Sequence, residues 1–171
     1  MIDINLENSY AKAITYCLGI SIKKRYTEFS MREKLKKFLE KLSLDASISK
    51  EIEKRVLSRL KELNYINDKD FVRDYFLEKS RLKAKGKFKI IMELKAKKID
   101  PAIISEVVSS IDFDESEILN TLFQKQVEKL KNFPKNKQKE KLFRFLLQRG
   151  FGQESIYNLL NNHYSNTNDK D

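Results

Sequence analysis

The chain has 171 residues, with 35 Lys plus Arg against 25 Asp plus Glu, one His and a formal net charge of +10. Four Gly and two Pro in a chain that is 40% hydrophobic exclude a turn-rich β fold and point to helices. The single Cys excludes an internal disulfide, no apolar run approaches the roughly 20 residues that span a bilayer, and "MIDINLENSY" lacks the basic and apolar regions of a secretion signal, so a reducing cytoplasm is the expected compartment.

In chain order, apolar residues at three- and four-residue steps predict helices over residues 10–18, 27–42 and 49–63, the last with Ile52, Val56, Leu57, Leu60 and Leu63 on one face. Cys17 reads as a small buried residue of the first. The next helix is expected to start at Asn67/Asp68, and a later one at Asp114, where Glu117 stands at capping-box spacing. Between them come a helix holding Ile90, Ile91 and Leu94, and one opened by Asp100 and Pro101, a capping acid followed by the residue with no N–H to lose. The last pair holds Leu142, Phe143 and Leu146, then Ile156, around a turn with Gly150 and Gly152, where a positive φ is cheap only for glycine.

These helices repeat. Leu94, Ile99 and Ile104 match Leu146, Phe151 and Ile156 at a constant offset of 52, and Phe71, Tyr75 and Phe76 match Ile118, Leu122 and Phe123 at an offset of 47. The five-residue difference is assigned to the basic linker, longer in the second copy ("KNFPKNKQK") than in the first ("RLKAKGK"). Met31 and Leu35 stand where Ile90 and Leu94 do, but Leu39, Leu42 and Leu44 then break the spacing, so the N-terminal unit reads as a divergent copy. The expected fold is all-α: three tandem three-helix repeats with helix-turn-helix-like units, residues 1–66, 67–113 and 114–164, then a polar tail, 165–171. Units of about 50 residues bury their faces poorly alone, so they are expected to stack into a curved, elongated, right-handed-type solenoid.

The charge is concentrated. Residues 79–98 carry nine cations and one Glu, residues 125–149 nine cations and two acids, so the remainder is mildly acidic. Two separate basic blocks at equivalent repeat positions look like patches that face a polyanion, with nucleic acid the leading class. The candidate binding residues are Arg81, Lys83, Lys85, Lys87, Lys89, Lys95, Lys97 and Lys98 in the first block, and Lys135, Lys137, Lys139, Lys141, Arg144 and Arg149 in the second. Such cations track phosphates and release counterions, which makes binding salt-dependent and largely sequence-neutral. Replacing Lys83, Lys85, Lys87 and Lys89 by Gln is expected to weaken binding while leaving stability nearly unchanged. Phe88, Phe143 and Phe145 sit among these cations and could stack on bases, but helical spacing with Ile91 and Leu146 assigns them to the core, as it does Tyr65 and Tyr75.

"ELKAKKIDPAIISEVV" has a helix-turn-helix outline, yet Pro101, Ala102, Ile103 and Ile104 bring no Arg, Asn or Gln to its second helix, which argues against base reading in a major groove. His163 lies in the polar "NNHYSNTNDKD", as a helix-end or unstructured residue. With no His/Cys cluster, Gly-rich phosphate loop or nucleophile elbow, no catalytic residue, metal ligand or cofactor is assigned. The acids Asp68, Asp70, Glu115 and Glu117 stand at helix starts, where they complement the dipole.

Four stretches, "TEFSMREKL" (27–35), "RLKELNYINDKDF" (59–71), "GKFKIIMELKAKKI" (86–99) and "LQRGFGQESI" (147–156), stand in the order and spacing of the RecX family, bacterial regulators of the RecA recombinase, which the chain resembles from residue 10 to 160. Two glycines of that pattern are replaced, by Asn64 and Lys98; Asn tolerates a left-handed backbone, whereas Lys98 would be strained there by about 1 kcal/mol. The resemblance implies a monomer, without membrane contact, that binds along a RecA filament on single-stranded DNA and limits its extension, strand exchange and coprotease action. Double-stranded DNA is a further candidate ligand. Nucleic-acid binding without a recombinase partner, and a purely protein-binding solenoid, are the alternatives.

Overall fold

The computed structural model describes residues 4–165, and among them the only regular elements are helices. They are α1 (Ile4–Ser21), α2 (Glu28–Glu40), α3 (Ala46–Glu62), α4 (Asp68–Leu77), α5 (Lys87–Ala96), α6 (Pro101–Ser110), α7 (Glu115–Leu130), α8 (Lys135–Arg149) and α9 (Gln153–Ser165), with a π-helical turn, Glu78–Leu82, continuing α4. The molecule is an all-α helical repeat.

Local chemistry sets the boundaries. Asn67 opens α4 with a reciprocal pair: its side-chain oxygen accepts from the Asp70 N–H at 3.1 Å, and its amide donates to the Asp70 carboxylate at 2.8 Å. Asp100 accepts from the Ala102 N–H, and Asp114 from the Ser116 N–H, both at 2.8 Å, so Asp114 caps α7 through its second residue rather than through Glu117. The α8–α9 turn is made by Gly150 at φ 89°, while Gly152 is not left-handed. Lys98 takes the same kind of conformation, φ 60°, and Asn64 φ 57°, so the turns of the glycine pattern persist without the glycines. Ser43, φ 50°, does the same between α2 and α3. It stands eight positions after Leu35, against four for Lys98 after Leu94 and for Gly150 after Leu146. The divergent copy therefore carries one extra helical turn, which buries Leu39.

The placement of the extra residues needs correction. The linkers before α5 and α8, residues 83–86 and 131–134, are equally long; the extra residues of the second copy are helical and lengthen α8 at its start. Pro134 supplies the extended residue before that start, and Lys and Gln propagate a helix well. Of the two readings of His163 the helix end holds: it lies in the last turns of α9, its ring edge-on to Phe123 with centroids 5.2 Å apart.

Of the described residues, 4–72 with Ala96–Ile104 form one compact unit, and Arg73–Lys95 with 105–165 form another. In the first, Ala13, Cys17, Met31, Leu35, Ile52, Val56 and Leu60 are fully buried, each larger aliphatic contributing roughly 1.5–3 kcal/mol. Burial pushes the Cys17 thiol up to about 11. Leu63 and Tyr65 were expected inside but are 42% and 41% exposed, because α3 ends at Glu62 and the chain turns away from the apolar face. In the second unit the core gathers Leu119, Phe123, Leu142, Leu146, Ile156 and Leu160, with Phe143 and Phe145 packed against it. Every member of the 52-offset match, Leu94, Ile99, Ile104, Leu146, Phe151 and Ile156, is buried.

Candidate nucleic-acid interface

All the candidate cations except Lys97 and Lys98 fall in the second unit. Their meeting point is made of backbone. A Cβ on Gly86 would lie 2.3 Å from the Gly150 carbonyl oxygen, so only glycine lets the start of α5 press against the end of α8. There the Gly86 N–H donates to the Arg149 carbonyl at 2.8 Å, the Arg149 guanidinium donates to the Lys83 carbonyl at 2.9 Å, and the Lys89 ammonium donates to the Gln148 carbonyl at 2.7 Å. The Lys87 N–H donates to the Glu115 carboxylate at 2.6 Å. Lys83, Lys87, Lys89 and Arg149 of the two blocks thus occupy one junction.

The rest of the second block is elsewhere. The 14 steps from Lys135 to Arg149 put these ends of α8 about 20 Å apart. At 100° per residue, Lys137, Lys141 and Arg144 share the face opposite buried Leu142 and Leu146, while Lys135 and Lys139 fall on another side. Lys139 stands over the Tyr164 ring at 5.0 Å, Lys141 over Phe133 at 4.6 Å, and Arg144 pairs with Glu140. The first turns of α5 and α8 share one electrostatic feature: each carries Lys and no acidic residue, at the positive end of the helix dipole. Cations there are unfavourable alone, and at α5 the Glu115 carboxylate on the Lys87 N–H already answers them from within the chain.

Not every lysine is a solvated cation. Lys85 pairs with Glu93 at 2.5 Å, and the Tyr75 hydroxyl donates to the other Glu93 oxygen at 2.9 Å. Desolvation alone would raise the Glu93 pKa, but these hydrogen bonds and the Lys85 and Lys89 charges hold it below the ordinary carboxylate range. Burial, the Glu93 hydrogen bond, and the Glu93 and Glu78 charges push Tyr75 up to about 12. The expectation that Lys83, Lys85, Lys87 and Lys89 form one dispensable surface row is corrected accordingly: Lys85 and Lys89 tie elements together. Arg81, Lys83, Lys87 and Lys95 are exposed. In the other unit, Lys97 lies over Phe71 at 5.8 Å and Lys98 holds its turn.

Phe88 reverses its assignment to the core. It is 69% exposed, because the buried stripe of α5 is Ile90 and Leu94, fully buried, rather than Ile91. Gly86, Tyr75, Glu93 and Glu115 were not singled out from the sequence for this region; a lone Gly between lysines was the one available hint. Among the described residues, no group of His, Cys, Asp or Glu is placed to hold a metal ion, and no helix is long and apolar enough to cross a membrane.

The comparisons with known proteins agree with this architecture. Residues 67–108 match the family model for the second three-helix domain of RecX, and residues 114–160 the model for the third. A regulatory protein RecX of Clostridium perfringens (strain 13 / Type A) is 30% identical over 169 residues, covering 95% of this chain and 75% of the relative. In the RecX of Clostridium botulinum (strain Eklund 17B / Type B), 35% identical over 105 residues, the match covers 60% of this chain and spans only about half (49%) of the relative's length. The crystal structure of RecX from Lactobacillus salivarius superposes with a TM-score of 0.74, covering 91% of this chain and 97% of that one at 22% identity, a likeness of fold. With two of its segments, residues 67–108 and 114–160, matching successive domain models and a relative 30% identical matched over 75% of its length, the chain belongs to the RecX family.

Proposed function

We propose that this chain modulates, chiefly by inhibition, the RecA recombinase, binding the recombinase filament and its DNA through the exposed cations of its two basic blocks. The observation that carries the reading is the junction at Gly86 and Gly150, where segments more than 60 residues apart bring Lys83, Lys87, Lys89 and Arg149 together. Such cations displace the counterions condensed on the phosphates, and the entropy of their release drives binding. Lys137, Lys141 and Arg144 on the outer face of α8 provide a second row. The division into repeats 1–66, 67–113 and 114–164, action as a monomer in the cytoplasm, and a non-catalytic mode belong to the same proposal.

Titration into RecA ATPase and strand-exchange assays tests it, with inhibition expected at amounts well below the recombinase concentration. No effect on a cognate recombinase rejects the reading. DNA binding that persists in that case leaves a general nucleic-acid-binding protein. In filter binding over a salt series, replacing Arg81, Lys83, Lys87 and Lys95 by Gln should flatten the single-strand slope by up to about 3, at roughly 0.7 per phosphate contact. A flat wild-type response would favour a protein-binding solenoid.

A further inference from the structure

Phe88 and Met92 are 69% and 51% exposed, one turn apart on α5, and Lys95 follows. At 100° per residue the three lie within about 60° of arc, opposite buried Ile90 and Leu94, and Lys95 is about 10 Å beyond Phe88 along the axis. Exposed Lys87 precedes them. The α5 carboxylate, Glu93, is turned to Lys85 and Tyr75, and Glu115 to the Lys87 N–H, so neither is left uncommitted beside these cations. The backbone that presents Phe88 is held on both sides, at Gly86 by the Arg149 carbonyl, at Lys87 by Glu115 and, through the Lys89 side chain, by the Gln148 carbonyl.

A single exposed apolar side chain needs no explanation, but an apolar pair between lysines selects its partner by chemistry. An apolar protein surface would strip water from Lys87 and Lys95 and leave them unpaired, at considerable cost. A single-stranded nucleic acid offers an unpaired base with a free π-face and a phosphate on either side. We propose that Phe88 and Met92 form a seat for one unpaired base of a single strand, with Lys87 and Lys95 holding the flanking phosphates. This inference rests on the DNA-binding reading above and specifies it: in a duplex every base is paired and stacked within the helix, so the seat favours single strands.

Fluorescence anisotropy with a labelled oligo-dT and a duplex of equal length tests the seat, using the wild type, Phe88→Leu and Phe88→Tyr. Phe88→Leu should bind oligo-dT about tenfold more weakly, the scale of one base–aromatic stack, and leave duplex affinity and the salt slope unchanged. Phe88→Tyr should stay within about twofold of the wild type, since the ring remains. Wild-type-like oligo-dT binding by Phe88→Leu overturns the seat alone, and so does an equal loss on oligo-dT and duplex. Unchanged DNA binding with lost binding to the recombinase filament overturns it in favour of an apolar protein contact. Failure of the wild type to bind either DNA overturns the seat together with the DNA part of the wider reading.

Discussion

Gly86→Ala is the sharpest perturbation of the junction. The added methyl would stand 2.3 Å from the Gly150 carbonyl oxygen, 2.4 Å from its carbon and 2.7 Å from the Phe151 nitrogen. Ordinary carbon contacts begin near 3.5 Å, so α5 must withdraw from α8 by about 1 Å, and the atoms met are backbone that cannot swing aside. Overpacking of this kind costs roughly 1–3 kcal/mol. The withdrawal also lengthens the Gly86-to-Arg149 and Lys89-to-Gln148 hydrogen bonds, each contributing about 1 kcal/mol. A loss of about 3 kcal/mol follows, equivalent to roughly 6–12 °C in a chain of this length. Thermal and urea unfolding followed by circular dichroism measure it. Gly19→Ala in α1 is the control: no atom lies within 4 Å of its Cβ, and Ala should stabilise that helix by about 0.5–1 kcal/mol. A Gly86→Ala protein that melts with the wild type refutes the close approach, and with it the meeting of the two basic segments.

Leu94→Ala and Leu146→Ala, at equivalent and fully buried positions, should each cost roughly 2–5 kcal/mol by cavity formation in the same unfolding assay. Lys98→Gly should relieve the left-handed backbone, about 1–2 kcal/mol, against about 0.5–1 kcal/mol of added unfolded-state freedom, for a small net rise in the urea midpoint. Tyr75 is raised in the folded state, so its contribution is complete below its ordinary value of 10.0 and is lost as pH climbs towards about 12. Tyrosinate absorbance should show late titration, from Tyr75 and from Tyr164, which burial also raises, and Tyr75→Phe should remove the Tyr75 part. Glu93 is lowered, so its contribution is present above its ordinary value of 4.5 and is lost as pH falls through the folded-state value; Glu93→Gln should flatten that acid limb of the urea midpoint against pH. Lys85→Gln should lower the midpoint where Lys87→Gln does not, because only the Lys85 side chain is bonded.

What the sequence reveals here is what is local. Asp100 with Pro101, Asp114 and Gly150 act within one turn of chain, and each does in the structure what its chemistry implies. The buried stripe was legible at the offset of 52, where all six residues are buried, and less so at the offset of 47, where Phe76 and Phe123 are buried and the other four are half-buried. Phe88 was misread because its three-residue spacing to Ile91 suggested a shared face, whereas its two-residue spacing to Ile90 places it about 200° from the residue that is buried. The extra residues of the second copy were misplaced because "KNKQK" is polar enough for a loop and equally able to form helix. The Gly86–Gly150 approach, the π-helical turn and the Lys85–Glu93–Tyr75 tie depend on neighbours distant in sequence or on the packing around them, and no pattern within one window announces them.

The glycine contact has a direction. Gly86, the residue before α5, accepts the end of α8 because it has no side chain and has an N–H to give. The residue before α8 is Pro134, which has a ring where Gly86 has a hydrogen and no N–H at all. The backbone contact made at residue 86 therefore has no counterpart at residue 134: the two copies share a helical plan, but only one of them can receive another helix end in this way.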